Sequence, residues 1–145
     1  MGKGFNASLR LFSWCVFMVK RDEVEHLERR AREFLKTADY QAGEGMYGLA
    51  IFSLEQALQL FLKSRLLLHG VDYPRTHGLR RLLEILASVS GEDEPRIRRL
   101  LKERALELSF LEDAYISSRY LLREFGEEEY RRVRAVVEEV MSLLG

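Results

Sequence analysis

The stretch Gly45-MYGLAIFSLEQALQLFLKSRLLLH-Gly70 decides the fold. At about 100° per residue, Ala50, Ile51, Leu54, Ala57, Leu58, Phe61, Leu62 and Leu68 fall on one face of a helix. Glu55, Gln56, Gln59 and Lys63 gather on a strip about 100° wide elsewhere on it, and Leu49, Leu60 and Leu67 form a second apolar line beside that strip. A helix apolar on more than one side has to be covered on more than one side, by its own domain or by a partner subunit. The segment therefore reads as the central helix of a bundle. Polar groups held on such a helix can build a binding site.

The flanking sequence supplies the rest of the bundle. Asp22 is a candidate cap for a first helix, in which Val24, Leu27, Ala31, Phe34, Leu35, Ala38 and Ala42 recur at helical spacing until Gly43-Glu-Gly45 ends it. Gly70 and Pro74 stop the central helix, and Thr76 or His77 opens a third one running through Leu79, Leu82, Leu83, Leu86 and Val89. From Glu92-Asp-Glu-Pro95 the pattern runs unbroken to Phe125, as one long helix or one bent near Ser109, and a last helix covers about 127–144. No stretch alternates like a strand. Short loops make sequential helices antiparallel neighbours, so the expectation is an all-α, up-and-down antiparallel bundle of about five helices forming one domain over 22–144.

Composition limits the function. With 145 residues, 47% apolar and 32% charged, the chain suits one globular core under an ionic surface. Its 23 basic and 23 acidic residues cancel, which gives no sign of a nucleic-acid-binding tail. The lone Cys15 excludes an internal disulfide and a cysteine-rich zinc site, in keeping with a cytoplasmic protein. Arg outnumbers Lys by 18 to 5 and Asn occurs once, a balance that leans toward a thermophile. Lys3 and Arg10 precede Leu11-FSWCVFM-Val19, a run too short to span a bilayer and followed by no signal-peptide cleavage site. Residues 1–21 are read as an extension, explained most simply by a start assigned upstream of Met18, with disorder expected over 1–10. No membrane partner is expected.

Several motifs bear on chemistry. Gly43, Gly45 and Gly48 match the dinucleotide pattern GxGxxG, but a helix precedes them and Lys63 stands where an acidic residue is needed, so they read as a helix–helix turn. His26, His69 and His77 form no metal-binding pair, and there is no serine-hydrolase elbow. No metal and no cofactor are expected. Two clusters remain. In Glu55, Gln56, Gln59 and Lys63 a cation stands beside amide donors and acceptors on an otherwise apolar helix, where crowding by neighbours competes with the plain reading of a solvated face. In 110–125, Phe110, Ala114, Ser118, Leu121 and Phe125 share one side, whereas Asp113, Tyr115, Arg119 and Tyr120 lie largely away from it. Tyr115 and Arg119, one turn apart, suit a phosphate and a base or ribose; the plain reading is a surface cluster with Glu112.

The pattern Gly45-x-Tyr47-x-x-Ala50-x-Phe52-x-x-Glu55-Gln-Ala57, then Lys63, then Pro74-x-x-His77-x-Leu79, then Asp113-x-Tyr115-x-x-Ser118-Arg-Tyr120 resembles the HEPN family, the higher eukaryotes and prokaryotes nucleotide-binding domain. The resemblance covers about 22–144. It implies a helical bundle that commonly dimerises, nucleotide binding, and in many prokaryotic members a small nucleotidyltransferase partner in a toxin–antitoxin-like pair. On this resemblance Lys63, Arg119 and His77 are expected to hold phosphate, Tyr115 or Tyr120 to stack on a base, and Asp113 to complete the set. Other branches are metal-independent ribonucleases with an Arg, four to six residues, and a His. Here no histidine follows Arg119 at that spacing, and Arg65 and His69 are separated by only three residues. Without a positioned imidazole the 2′-hydroxyl lacks an obvious general base. The expected protein is a non-catalytic, nucleotide- or polyphosphate-binding homodimer. The alternatives are a ribonuclease using His69 or His77 and a structural module docking through Leu49, Leu60 and Leu67.

Overall fold

The computed structural model describes residues 2–72, 75, 78–120 and 124–145, with side chains from 20 onward except at 116–120. Among these residues there are six α-helices and no strand: α1 (Gly2–Gly43), α2 (Tyr47–Leu68), α3 (Leu79–Val89), α4 (Glu94–Glu103), α5 (Ala105–Tyr120) and α6 (Glu127–Leu144), with a 3-10 turn at Gly91–Asp93. The helix α2 is central, packed by α1, α3, α5 and α6. Its Ala50, Ile51, Leu54, Leu58, Leu62 and Leu66 are fully buried. Of the second apolar line, Leu67 is buried and Leu60 half-buried, while Leu49 is 51% exposed. The chain's own helices thus cover all of that line except its N-terminal end.

Glycine shapes both ends of the loop region around α2. Gly45, at φ +79°, lets the N–H of Met46 reach the Gln41 carbonyl at 2.8 Å and its own N–H reach Ala42 at 3.0 Å. Gly70, at φ +75°, repeats the arrangement, with Val71 bonded to Leu66 and Gly70 to Leu67, both at 3.0 Å. These paired bonds satisfy the last carbonyls of α1 and α2 and reverse the chain. Ser53 Oγ then donates to Gln41 Oε1 at 2.7 Å, joining the two helices just past the turn.

Three sequence expectations are corrected. The first helix does not begin at Asp22, and residues 2–10 are helical: α1 runs without interruption from Gly2, leaving Asp22 exposed in mid-helix. No proline interrupts that stretch, and Leu, Met, Ala and Arg favour its continuation. The third helix starts at Leu79, after Gly78, and Thr76 and His77 lie outside the described residues. The long pattern from Pro95 is broken at Arg104 (φ −112°, ψ 22°), not bent at Ser109, which makes six helices where about five were expected. The physical reason is the residue type. Ile97, Leu100, Leu108 and Leu111 are buried and their spacing puts position 104 on the same stripe, where an arginine cannot be buried. At the break its Nε reaches Glu139 Oε2 on α6 at 2.9 Å. The two halves then pack separately, α4 on α3 and α5 mainly on α2.

Candidate functional site

Positions 55, 59 and 63 are successive turns along one side of α2, and their side chains form a ladder. Glu55 is buried, 1% exposed, and both carboxylate oxygens accept amide N–H groups: Oε2 from Gln56 Nε2 at 2.7 Å, Oε1 from Gln59 Nε2 at 2.9 Å. The other end of the Gln59 amide, Oε1, accepts from Lys63 Nζ at 3.3 Å. Gln59 therefore bridges a buried carboxylate and a buried ammonium through one amide. Burial holds the Lys63 ammonium below the usual lysine range, and the charge of Glu55 opposes that shift. The strip read from the sequence is not a solvated face: Glu55, Gln59 and Lys63 are buried and Gln56 is half-buried.

Phe52 lies within about 40° of Gln59 and Lys63 around the helix axis. Its ring stacks on Tyr115 of α5, centroids 6.0 Å apart and planes inclined by 27°. Tyr115 lies apart from the side on which Phe110 meets Phe125 and packs on α2, so the plain reading of a surface cluster with Glu112 does not hold for it. Tyr115 follows buried Leu108 and Leu111 by two turns and one turn on the same stripe of α5, which turns it to Phe52. One face of its ring is occupied. Asp113 is exposed, and its charge reaches Arg80 at the start of α3. His77 lies outside the described residues, as do the side chains of Arg119 and Tyr120. Of the expected set, the structure brings Glu55, Gln56, Gln59 and Lys63 into one network on the side of α2 that meets Tyr115.

Glu112, read only as part of a surface cluster, has a larger role. One oxygen accepts the backbone N–H of Arg80 at 2.8 Å, and the other accepts Arg80 Nε and Nη2 at 3.1 and 2.8 Å. It thereby caps the first turn of α3 from another helix and holds the arginine in a fork. Local sequence carries no signal of this, since the partners are 32 residues apart. Arg65, considered beside His69 as a ribonuclease pair, is engaged elsewhere. It pairs with Glu28 of α1, lies 5.1 Å from the Phe61 ring centre and donates to the Leu144 carbonyl at 3.5 Å. Among the described residues no group of three His, Cys, Asp or Glu side chains is placed to hold a metal ion.

The HEPN domain family model matches residues 24–145, the whole bundle from the middle of α1 onward. The chain belongs to the HEPN family. No curated protein matches it. In this HEPN domain the all-α architecture of the family is present, and the family is one of nucleotide-binding and ribonuclease-like domains.

Proposed function

We propose that this HEPN protein is a non-catalytic homodimer that binds a nucleotide or polyphosphate and serves a small nucleotidyltransferase in a toxin–antitoxin-like pair. The observation that carries this reading is Lys63, an ammonium 8% exposed and braced by Gln59 and Glu55 beside an aromatic pair. A cation that has lost hydration gains more from an arriving phosphate than one in open water, because the local dielectric is lower. Arg119 and His77 are assigned further phosphate contacts and Tyr120 the base, with Tyr115 a wall held by Phe52. Asp113 acts beside Arg80 at the rim. Loss of the arginine–histidine spacing after Arg119 supports binding without RNA cleavage.

Calorimetric titration with ATP, GTP and tripolyphosphate tests the reading in the full chain and in Lys63→Ala and Arg119→Ala. Wild type is expected to bind, with each variant weakened at least about tenfold, the loss of one charge-assisted contact. No heat of binding by wild type at millimolar ligand overturns it. RNA cleavage that disappears in His77→Ala would replace it with the ribonuclease reading.

A further inference from the structure

The first helix is too long for the bundle it serves. Its 42 residues span about 63 Å and the 22 residues of α2 about 33 Å. The two are antiparallel neighbours, and Lys20, Arg21 and Val24 line a groove with Leu67, Leu68 and Gly70 at the very end of α2. Residues 2–19 therefore continue past the end of α2 as a helical arm of about 27 Å.

The arm's sequence is unlike the rest of the chain. Leu11-FSWCVFM-Val19 is apolar at every position but Ser13, so at helical spacing it has no polar stripe. It contains Phe12, Trp14 and Phe17, and Phe5 stands two turns earlier. Lys3, Arg10, Lys20 and Arg21 flank the run, and no acidic residue occurs before Asp22. Arg21 has a partner in Glu25 at 3.6 Å, but both are more than 60% exposed and exchange readily with other ions.

We propose that this arm is a peripheral anchor that lays its apolar run into the surface of an anionic lipid bilayer. A seam with one partner helix would need only a stripe of apolar residues, whereas this run is apolar all round. Spanning is excluded, because nine residues of helix cover about 13 Å against about 30 Å of hydrocarbon. Lying at the interface needs no such length. There aromatic and aliphatic side chains enter the headgroup boundary, and basic flanks attract lipid phosphates at about 1 kcal/mol each. A run too short to cross a bilayer is still long enough to lie on its surface.

Trp14 is the only tryptophan, so intrinsic fluorescence reports on the arm directly. The full chain is mixed with vesicles of phosphatidylcholine alone, or with a quarter phosphatidylglycerol, and sedimented. Binding to the anionic vesicles is expected, with a blue shift of Trp14 emission and protection from acrylamide. At high salt, and in Lys20→Glu/Arg21→Glu, the bound fraction should fall several-fold, and in Phe12→Glu/Phe17→Glu about tenfold or more. These substitutions lie at or beyond the end of the bundle, so an unchanged thermal transition certifies the fold. Failure of the wild type to sediment with anionic vesicles overturns the proposal, as does binding indifferent to both double variants. A doubled mass in solution that Phe12→Glu/Phe17→Glu abolishes, without lipid binding, would assign the arm to a second copy of the chain instead.

Discussion

Glu55 and Lys63 are two turns apart and do not meet directly; the Gln59 amide passes the interaction between them. Each charge is therefore expected to depend on the other. Lys63→Met leaves a carboxylate that is 1% exposed without its compensating cation, which should cost about 3 kcal/mol by urea unfolding. Adding Glu55→Gln removes the stranded charge and should recover most of that loss, giving a coupling of about 2 kcal/mol in the double-mutant cycle. Additive losses would mean that the ladder is not an energetic unit. The pair also separates stability from binding. Glu55→Gln/Lys63→Met is predicted to fold and yet to have lost phosphate affinity, a combination that calorimetry on the same sample checks.

At the scale of elements, the turn between α1 and α2 shows which glycines matter. Gly45 holds φ +79°, so Gly45→Ala is expected to cost about 1–2 kcal/mol. Gly48 lies in the first turn of α2, and a Cβ there would stand 3.5 Å from Phe125, an ordinary contact. Gly48→Ala should be neutral or stabilising by up to about 1 kcal/mol, read as a rise in melting temperature. A phosphate-cradling loop would not tolerate the change at both positions, so the pair of variants tests the rejection of the dinucleotide motif as well. The same elements show what the sequence made legible. The ends of α1 and α2 could be read because glycine at a left-handed position is a local signal. The apolarity of α2 disclosed the burial of its polar strip, since a helix with two apolar sides leaves little solvent for a third. The start of α3 could not be read, because its cap is Glu112 from α5. Nor could the break at Arg104, which lacks proline or glycine and is resolved by Glu139 on α6. Local chemistry was legible, and register set by distant partners was not.

At the scale of the whole molecule, one cluster ties the first helix to the last. Asp39 of α1 accepts Arg134 Nε and Nη2 of α6 at 2.9 and 3.1 Å, and Tyr130 Oη donates to its Oδ1 at 2.5 Å. The Arg134 bonds hold the Asp39 carboxyl below the usual carboxylate range against the opposing effect of burial. Burial foremost, then the bond to Asp39, pushes the Tyr130 phenol above its ordinary value. The signs give the tie two pH limits. A carboxyl with a depressed folded pKa contributes stability in full above its unfolded value of about 3.9, and loses it as pH falls through the folded value. A phenol with a raised folded pKa contributes below its unfolded value of about 10, and loses it as pH rises toward the folded value. Asp39 is about half exposed, so solvent screens the pair, and Asp39→Asn should cost only about 1 kcal/mol near neutral pH. That difference from wild type should shrink toward zero in acid as the wild-type carboxyl takes up its proton. Tyr130→Phe should instead flatten the alkaline limb, while Asp39→Asn flattens it only in part, because burial acts on the phenol without the carboxylate. Urea titrations of the three proteins across acid, neutral and alkaline pH separate these outcomes. An Asp39→Asn deficit that persists unchanged in acid would show that the contact holds α1 to α6 by packing and not by charge.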